Sequence, residues 1–367
     1  MTESPASAAR RGLALAAAVA LAAAGPAAAE EPWCGVEPLP VAAEPAPGGV
    51  TASFVGEFVL SGDDAPEGLS GVAWLGEDAS LPHARFAFAD DSGGLVRFAD
   101  VFFDDRSGAV TGCAFRAVSA VCGATDLEGV AFDPRTRSLW VSDECGPALF
   151  RAEVAEDGSA LKPGTQRDMA SLVPPSLRKC RKNRALEALS FDALERVLWT
   201  ASESAICGDE EGSARLAAID PATGRFREHS FPLEEAAGAH LPPLPPPFTG
   251  LCALAALPGG RLVALERSFG YEIADCGGEE GGLRQSLCRM TLSLVETDGV
   301  ESGGKIRKTV LFRALTGDAN YEGLCLGPPL PDGGRRLVAV ADGDVSRSGS
   351  FSMPWRKAVA VFRLDGI

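Results

Sequence analysis

Three histidines and two tyrosines among 367 residues leave little material for side-chain proton relays. His83 falls in a turn, and His229 and His240 flank a proline-rich run, so a Ser-His-Asp triad or a phosphohistidine mechanism is poorly supplied. There is no H-E-x-x-H, P-loop or G-x-G-x-x-G segment, and no C-x-x-C pair. Zincin, nucleotide-cradling and thioredoxin-type chemistry are therefore disfavoured. No stretch after residue 30 reaches 18 consecutive apolar residues, so no membrane-spanning helix is expected. Lys and Arg are outnumbered 34 to 50 by Asp and Glu, for a net charge of −16. Such a surface repels nucleic acid and anionic lipid and suits divalent cations or basic partners. Helical periodicity of 10–15 residues alternating with strands is also missing, which excludes a doubly wound sheet or a TIM barrel.

What the chain does have is apolar residues (46%), 42 glycines and 26 prolines. The first allow a sizeable core; the others punctuate the chain into many short strands. Residues 1–29 read as a secretory leader: Arg10-Arg11, then "GLALAAAVALAAAG", then "PAAA" before a cut after Ala29. The general secretory route fits this segment better than the twin-arginine route, because "ARRGLAL" is a loose match to the latter. Residues 30–50 are expected to be a linker and 51–367 the folded domain, periplasmic or secreted. Removing Arg10, Arg11 and Glu3 with the leader moves the charge from −16 to −17. All ten cysteines follow the leader, so disulfides are expected, with Cys113–Cys122, Cys276–Cys288 and Cys252–Cys325 as candidate pairs.

One phrase occurs five times: "GLSGVAWLGEDASLPHARFAFADD" (68–91), "LEGVAFDPRTRSLWVSDE" (127–144), "LEALSFDALERVLWTASES" (186–204), "LCALAALPGGRLVALERS" (251–268) and "NYEGLCLGPPLPDGGRRLVAVADGD" (320–344). Each is a short apolar strand, a turn and a second apolar strand, bracketed by acidic or small residues. Residues equidistant from a hairpin turn lie opposite one another, so the brackets meet at the open end. Two further strand-like stretches follow the first four repeats, as in "ALFRAEV" and "TQRDMASLV". Four strands per unit is the composition of a propeller blade. The last repeat offers only "KAVAVFRLDG", and "ASFVGEFVLSG" (52–62) supplies its missing strand. The expectation is an all-β, five-bladed propeller whose first and last strands close the ring in one blade, or six blades if a long insertion hides one. The run "HLPPLPPPFTG" (240–250) reads as an inter-blade loop.

If the bracketed hairpin is the inner half of each blade, its open ends converge around one axis. Glu128, Glu187 and Glu322 would then stand with Asp90, Asp143, Glu203, Glu266 and Asp342 in or near one ring. Crowded carboxylates raise one another's pKa unless cations intervene, and Ca²⁺, which takes many oxygen ligands, is the expected cation. On this reading Asp90, Asp143, Glu203, Glu266 and Asp342 are metal ligands. Glu128, Glu187, Glu322 and Arg267 are the catalytic candidates, and Ser70, Arg184 and Asn320 contact substrate. Asp126 and Asn183 precede inner strands and could add oxygens or amides to the same face, but ordinary turn formation accounts for them better. The basic run "RKCRKNR" (178–184) leads into the third hairpin and reads mainly as a solvated loop.

The ordered phrases "DLEGVAFD…LWVSDE", "NRALEALSFD…LWTASES", "LAALPGGRLVALERSFG" and "NYEGLCLGPPLPDGGRRLVAVADGD" resemble the phytase-like family, the domain described as the esterase-like activity of phytase. The likeness spans roughly residues 50–367 and implies an exported bacterial propeller that hydrolyses a phosphoric or carboxylic ester. Its landmarks fall on Glu128, Asp143, Glu187, Glu203, Glu266, Arg267, Asn320, Glu322 and Asp342. Cys252 and the high cysteine content depart from the pattern and favour extra stapling. The expected partner is a small-molecule ester or phosphoester, met by a monomer through metal-assisted water attack. The competing expectation is a non-catalytic propeller that binds a small ligand or a protein partner and carries structural calcium.

Overall fold

The computed structural model describes residues 35–41, 46–61, 65–77, 81–181, 183–238, 240, 246–274, 282–343, 345–348 and 351–367. The expected leader, Cys34 and Cys276 lie outside these residues. In chain order the strands are β1 (Glu37–Pro38), β2 (Thr51–Val59), β3 (Leu69–Trp74), β4 (Ala84–Asp90), β5 (Leu95–Phe103) and β6 (Val110–Ala120). There follow β7 (Leu127–Asp133), β8 (Ser138–Asp143), β9 (Ala148–Glu153), β10 (Arg167–Asp168), β11 (Leu186–Asp192), β12 (Val197–Ser202), β13 (Ser213–Ile219) and β14 (Phe226–Pro232). The last are β15 (Phe248–Leu257), β16 (Arg261–Ala274), β17 (Gly282–Glu296), β18 (Arg307–Gly317), β19 (Asn320–Pro329), β20 (Arg335–Asp342), β21 (Val345–Ser348), β22 (Phe351–Pro354) and β23 (Ala358–Asp365).

Five antiparallel sheets stand radially around one axis, a five-bladed propeller. Blades one to four are β3–β6, β7–β10, β11–β14 and β15–β18, the last with β1 added at its edge. Blade five runs β19-β20-β23-β2, so the N-terminal strand completes the C-terminal sheet as expected. Innermost strands β3, β7, β11, β15 and β19 each touch the next around the ring, and β19 returns to β3. Closure encloses the inner edges of β3, β7, β11, β15 and β19 around the axis, where no other chain can pair with them.

The burial pattern follows from this arrangement. An inner strand such as β8 (SLWVSD) is buried at every position, because both faces of its blade are covered. Such strands read as continuous apolar runs, whereas the outer β6 alternates toward exposure at its end. Five apolar clusters fill the five inter-blade seams: Phe98 with Leu139 between blades one and two, and Trp140 with Leu198 between two and three. Phe231 with Leu251, Phe312 with Phe362, and Phe86 with Val361 mark the other three. Blade two departs from expectation. Instead of a strand through 165–173, only Arg167–Asp168 pairs, because Ala170–Leu172 coils into a 3-10 turn and leads Leu177 into the seam.

The ring closure is also held by polar contacts. Arg356, just before β23, reaches Glu57 of β2 at 3.0 Å and also pairs with Asp318, and the buried Tyr321 hydroxyl donates to Glu57. All eight described cysteines are free thiols, contrary to the expected Cys113–Cys122 and Cys252–Cys325 bridges; the expected Cys276–Cys288 pair includes a residue outside those described. Cys113 lies along β6 against the seam with blade five, while Cys122 is exposed beyond that strand's end. Cys252 and Cys325 stand at different heights along their inner strands, so no bridge joins them.

His229, on β14, is wholly buried and neither ring nitrogen finds a partner among the described residues. Burial, with Arg227 nearby, lowers its pKa. Its contribution to stability is thus present above the ordinary value of 6.5 and is lost as pH falls below it. His229→Leu should flatten that acid limb and be about 1–2 kcal/mol more stable than the parent at pH 5, since an unpaired buried polar group is removed. Denaturant titrations at pH 5 and 8 check this; a variant less stable at both values would refute it.

Candidate functional site

Each inner strand carries a one-residue irregularity at the same height. Leu69 pairs with Asp90 and Gly71 with Ala89, so Ser70 is left without a ladder partner. The same break falls between Leu127 and Val130, Leu186 and Ala188, Leu251 and Ala253, and Tyr321 and Gly323. Ser70, Glu128, Glu187, Cys252 and Glu322 are therefore five equivalent bulge residues, and a bulge re-aims the side chain it carries. Small residues make room for it. A Cβ on Gly71 would run into the Glu128 carbonyl, and one on Gly323 would come within 3.0 Å of Gly71 Cα. The inner strands thus touch backbone to backbone at this level.

The bulge offsets the second strand's contribution by one position. The residues following the ladder partners of Leu69, Leu127, Leu186, Leu251 and Tyr321 are Asp91, Glu144, Glu203, Arg267 and Asp342. These are the groups that act on the bulge acids. Asp91 and Glu144 raise the pKa of Glu128, Glu203 raises that of Glu187, and Asp342 raises that of Glu322.

The expected ligands Asp90, Asp143 and Glu266 lie one residue away and make other contacts. Asp90 accepts from Ser92 and Arg97 in its own blade. Asp143 accepts from the Thr125 and Asp126 amides at 2.6 and 3.2 Å. Glu266 is paired with Lys308 at 2.5 Å and accepts from the Glu234 amide at 2.7 Å. The equidistance rule misplaces them because the bulge shifts register by one and strand side chains alternate in direction. Glu203, Glu322, Asn320 and Arg267 do come together. Arg267 donates to Glu203 Oε1 at 2.9 Å and to Asn320 Oδ1 at 3.0 Å, and is ion-paired with Glu322. Asn320 Nδ2 donates to Glu322 Oε1 at 2.9 Å.

The Ser70 hydroxyl is buried in the ring without a hydrogen-bond partner among the described residues. Arg184 stacks on the Phe248 ring at 3.7 Å, between blades three and four. Asn183 is exposed at φ 54°, as its turn-forming reading requires. Glu144 and Asp91 are not singled out by the sequence pattern. The doubled charges Asp90-Asp91 and Asp143-Glu144 are the signal that could have found them.

Electrostatics follow from burying so many acids together. Burial first, then Glu322 and Glu144, push Glu128 well above the carboxylate range, and burial with Glu128 and Glu203 does the same to Glu187. Burial pushes Glu322 up to about 8, against the opposing pull of Arg267. Burial alone would depress Arg267, but Glu322, Cys252 and Glu203 hold it well above its usual value. The Cys252 thiol is likewise raised well above 9.0 by burial, so it is no thiolate nucleophile. Carboxylate oxygens of Asp126, Glu128 and Glu144 lie within 4.8 Å of one another and could hold a metal ion. Hard oxygen donors from partly desolvated acids suit such an ion.

A family model described as "Phytase-like: Esterase-like activity of phytase" matches residues 65–345. No curated protein matches the chain. Among solved structures, a glucose dehydrogenase-type oxidoreductase of Thermus thermophilus is 13% identical with a TM-score of 0.41, over 84% of this chain and 99% of that one. A luciferin-regenerating enzyme gives 12% identity and a TM-score of 0.39, over 82% of this chain and 92% of that one. Hydrazine synthase of Kuenenia stuttgartiensis gives 15% and 0.33, over 77% of this chain and 57% of that one, so the chain spans little more than half of it.

Proposed function

Since the chain belongs to the phytase-like family, we propose that it hydrolyses a phosphoric or carboxylic ester at the acid-lined axial face, with Ca²⁺ held by Asp126, Glu128 and Glu144. The observation that carries this reading is Glu128. It is 9% exposed, burial and the neighbouring acids push its pKa well above the carboxylate range, and it stands within ligand distance of two further carboxylates. A buried acid in that state either keeps its proton or shares a cation. When bound, the cation acidifies water and polarises the ester oxygen.

The chain's own groups supply the rest. Glu322, oriented by Asn320 and Arg267 and titrating near 8, accepts the proton of the attacking water. The water oxygen bonds to phosphorus or the acyl carbon, and the ester oxygen leaves with the proton that burial keeps on Glu187. Arg267 stabilises charge built up on the ester oxygens, while Ser70 and Arg184 contact the substrate. A polyphosphate such as phytate would reach so acidic a face only with its charge offset by bound cations.

The test is turnover of p-nitrophenyl phosphate, p-nitrophenyl acetate and phytate, with Ca²⁺ or with EDTA. Calcium-dependent turnover of at least one is expected, and Glu128→Gln or Glu144→Gln should each cost about 100-fold. Calcium-dependent melting with no turnover of any would instead identify a non-catalytic propeller carrying structural calcium.

A further inference from the structure

The far end of the same axis is chemically the reverse of the acid ring. Trp74, Phe132, Phe191, Leu257 and Leu326, one from each blade, line a cavity of about 270 Å³ there. Ser70 and Trp74 are four residues apart on β3, which places the cavity ~13 Å from the acid tier at 3.3 Å per residue. The backbone contacts at Gly71, Gly129 and Gly323 lie between the two ends.

One charged group breaks the lining, which also carries Ser190, whose Oγ accepts from the Ala256 amide at 2.9 Å, and the Trp74 indole N–H. Asp192 is 5% exposed and lines the cavity, and its Oδ2 is buried without a hydrogen-bond partner among the described residues. Its Oδ1 is engaged, accepting from the Leu194 and Glu195 amides at 2.9 and 3.0 Å. Two other turns show what usually fills the second oxygen. Asp133 Oδ2 accepts from Thr136 Oγ1 at 2.7 Å, and Asp220 Oδ2 from Thr223 Oγ1 at 2.6 Å. The corresponding position after Asp192 is Glu195, which has no hydroxyl to donate. An unmatched carboxylate oxygen among aromatic side chains is costly alone and well suited to a cation.

We propose that this mouth is a second binding site, for a small organic ammonium ion with an aromatic or alkyl body. The ammonium donates to Asp192 Oδ2 and the body fills the apolar space between Trp74, Phe132 and Phe191. Three aromatic side chains and one carboxylate form the recognition set, and a compact single-ring ligand matches the volume.

Calorimetric titration of the whole chain, in EDTA at pH 7, with phenethylamine and its neutral analogue 2-phenylethanol tests the assignment. One saturable site is expected, with phenethylamine favoured by about tenfold or more, the range of a charge-assisted hydrogen bond. Asp192→Asn keeps an Oδ1 for the turn and should abolish that preference. Glu128→Gln should leave phenethylamine binding unchanged, which separates this cavity from the acid ring. Absent saturation, equal binding of the alcohol, or loss of binding in Glu128→Gln rather than Asp192→Asn would each overturn the proposal. If Asp192→Asn fails to fold, the amine-to-alcohol ratio of the parent still decides.

Discussion

Arg267→Met should lower folding free energy by about 3–5 kcal/mol at pH 7, the scale for removing one partner of a buried ion pair. Arg267 bridges Glu203 and Glu322, on two different blades, and holds Asn320 as well. Both acids are buried, so neither regains water when the guanidinium goes. The loss is uncompensated charge plus unpaired acceptors, not merely a missing contact. Arg267→Lys keeps the charge but lacks the planar fork, and should fall between parent and Met variant. The double variant Arg267→Met/Glu322→Gln should be less destabilised than the two single losses combined, because both changes remove the same Arg267–Glu322 contact. Denaturant titrations measure all four proteins. A Met variant within about 1 kcal/mol of the parent would show that the bridge is not what balances the ring.

Freed of divalent metal by EDTA, the protein should be most stable near pH 5 and lose stability steadily toward pH 8. Glu322 has its pKa raised from 4.5 to about 8, and those of Glu128 and Glu187 are raised well above 4.5. A carboxyl whose folded pKa is raised contributes stability that is fully present below its unfolded value and lost as pH rises through the folded one. Glu322 alone makes this on the order of 4 kcal/mol between pH 4.5 and 8. His229 acts with the opposite sign but only below about 6.5, and as one group it blunts the acid side without reversing the trend.

Added Ca²⁺ should invert the picture at the alkaline end, since protons and metal compete for the same oxygens. The rise in melting temperature on adding calcium should therefore be larger at pH 8 than at pH 5. Thermal melts at four pH values, with EDTA and with calcium, give the answer. A flat profile without metal, or a calcium effect independent of pH, would contradict the clustering of the acids.

Much of the architecture was readable because a propeller repeats itself. Five copies of one hairpin, and a lone strand-like stretch at 52–62 matching the gap after the last copy, point to five blades and to ring closure; the structure settles the count at five. The bulge residues Glu128, Glu187 and Glu322 were readable for the same reason, each being the acid after the first apolar residue of its repeat. The second tier was only partly readable. Equidistance from the turn points to Glu203 and Asp342 there, but to Asp90 and Asp143 in place of Asp91 and Glu144. Arg267 was nominated in another role, and Glu266 in its place. In sequence a bulge is silent: it moves register by one residue without altering the hydrophobic pattern.

The linear order of residues determined the all-β class, the five radial sheets and the crowding of acid at one end of their inner strands. These depend on alternation, turn chemistry and internal repetition, which are local and recur along the chain. Tertiary structure alone decided which member of each charged pair faces the axis and that Arg267 bridges two blades. It also decided that Asp192 is left with an unmatched oxygen beside an apolar cavity. Those outcomes depend on how far one strand is shifted against its neighbour and on which blades adjoin, distances that span the ring and leave no periodic trace.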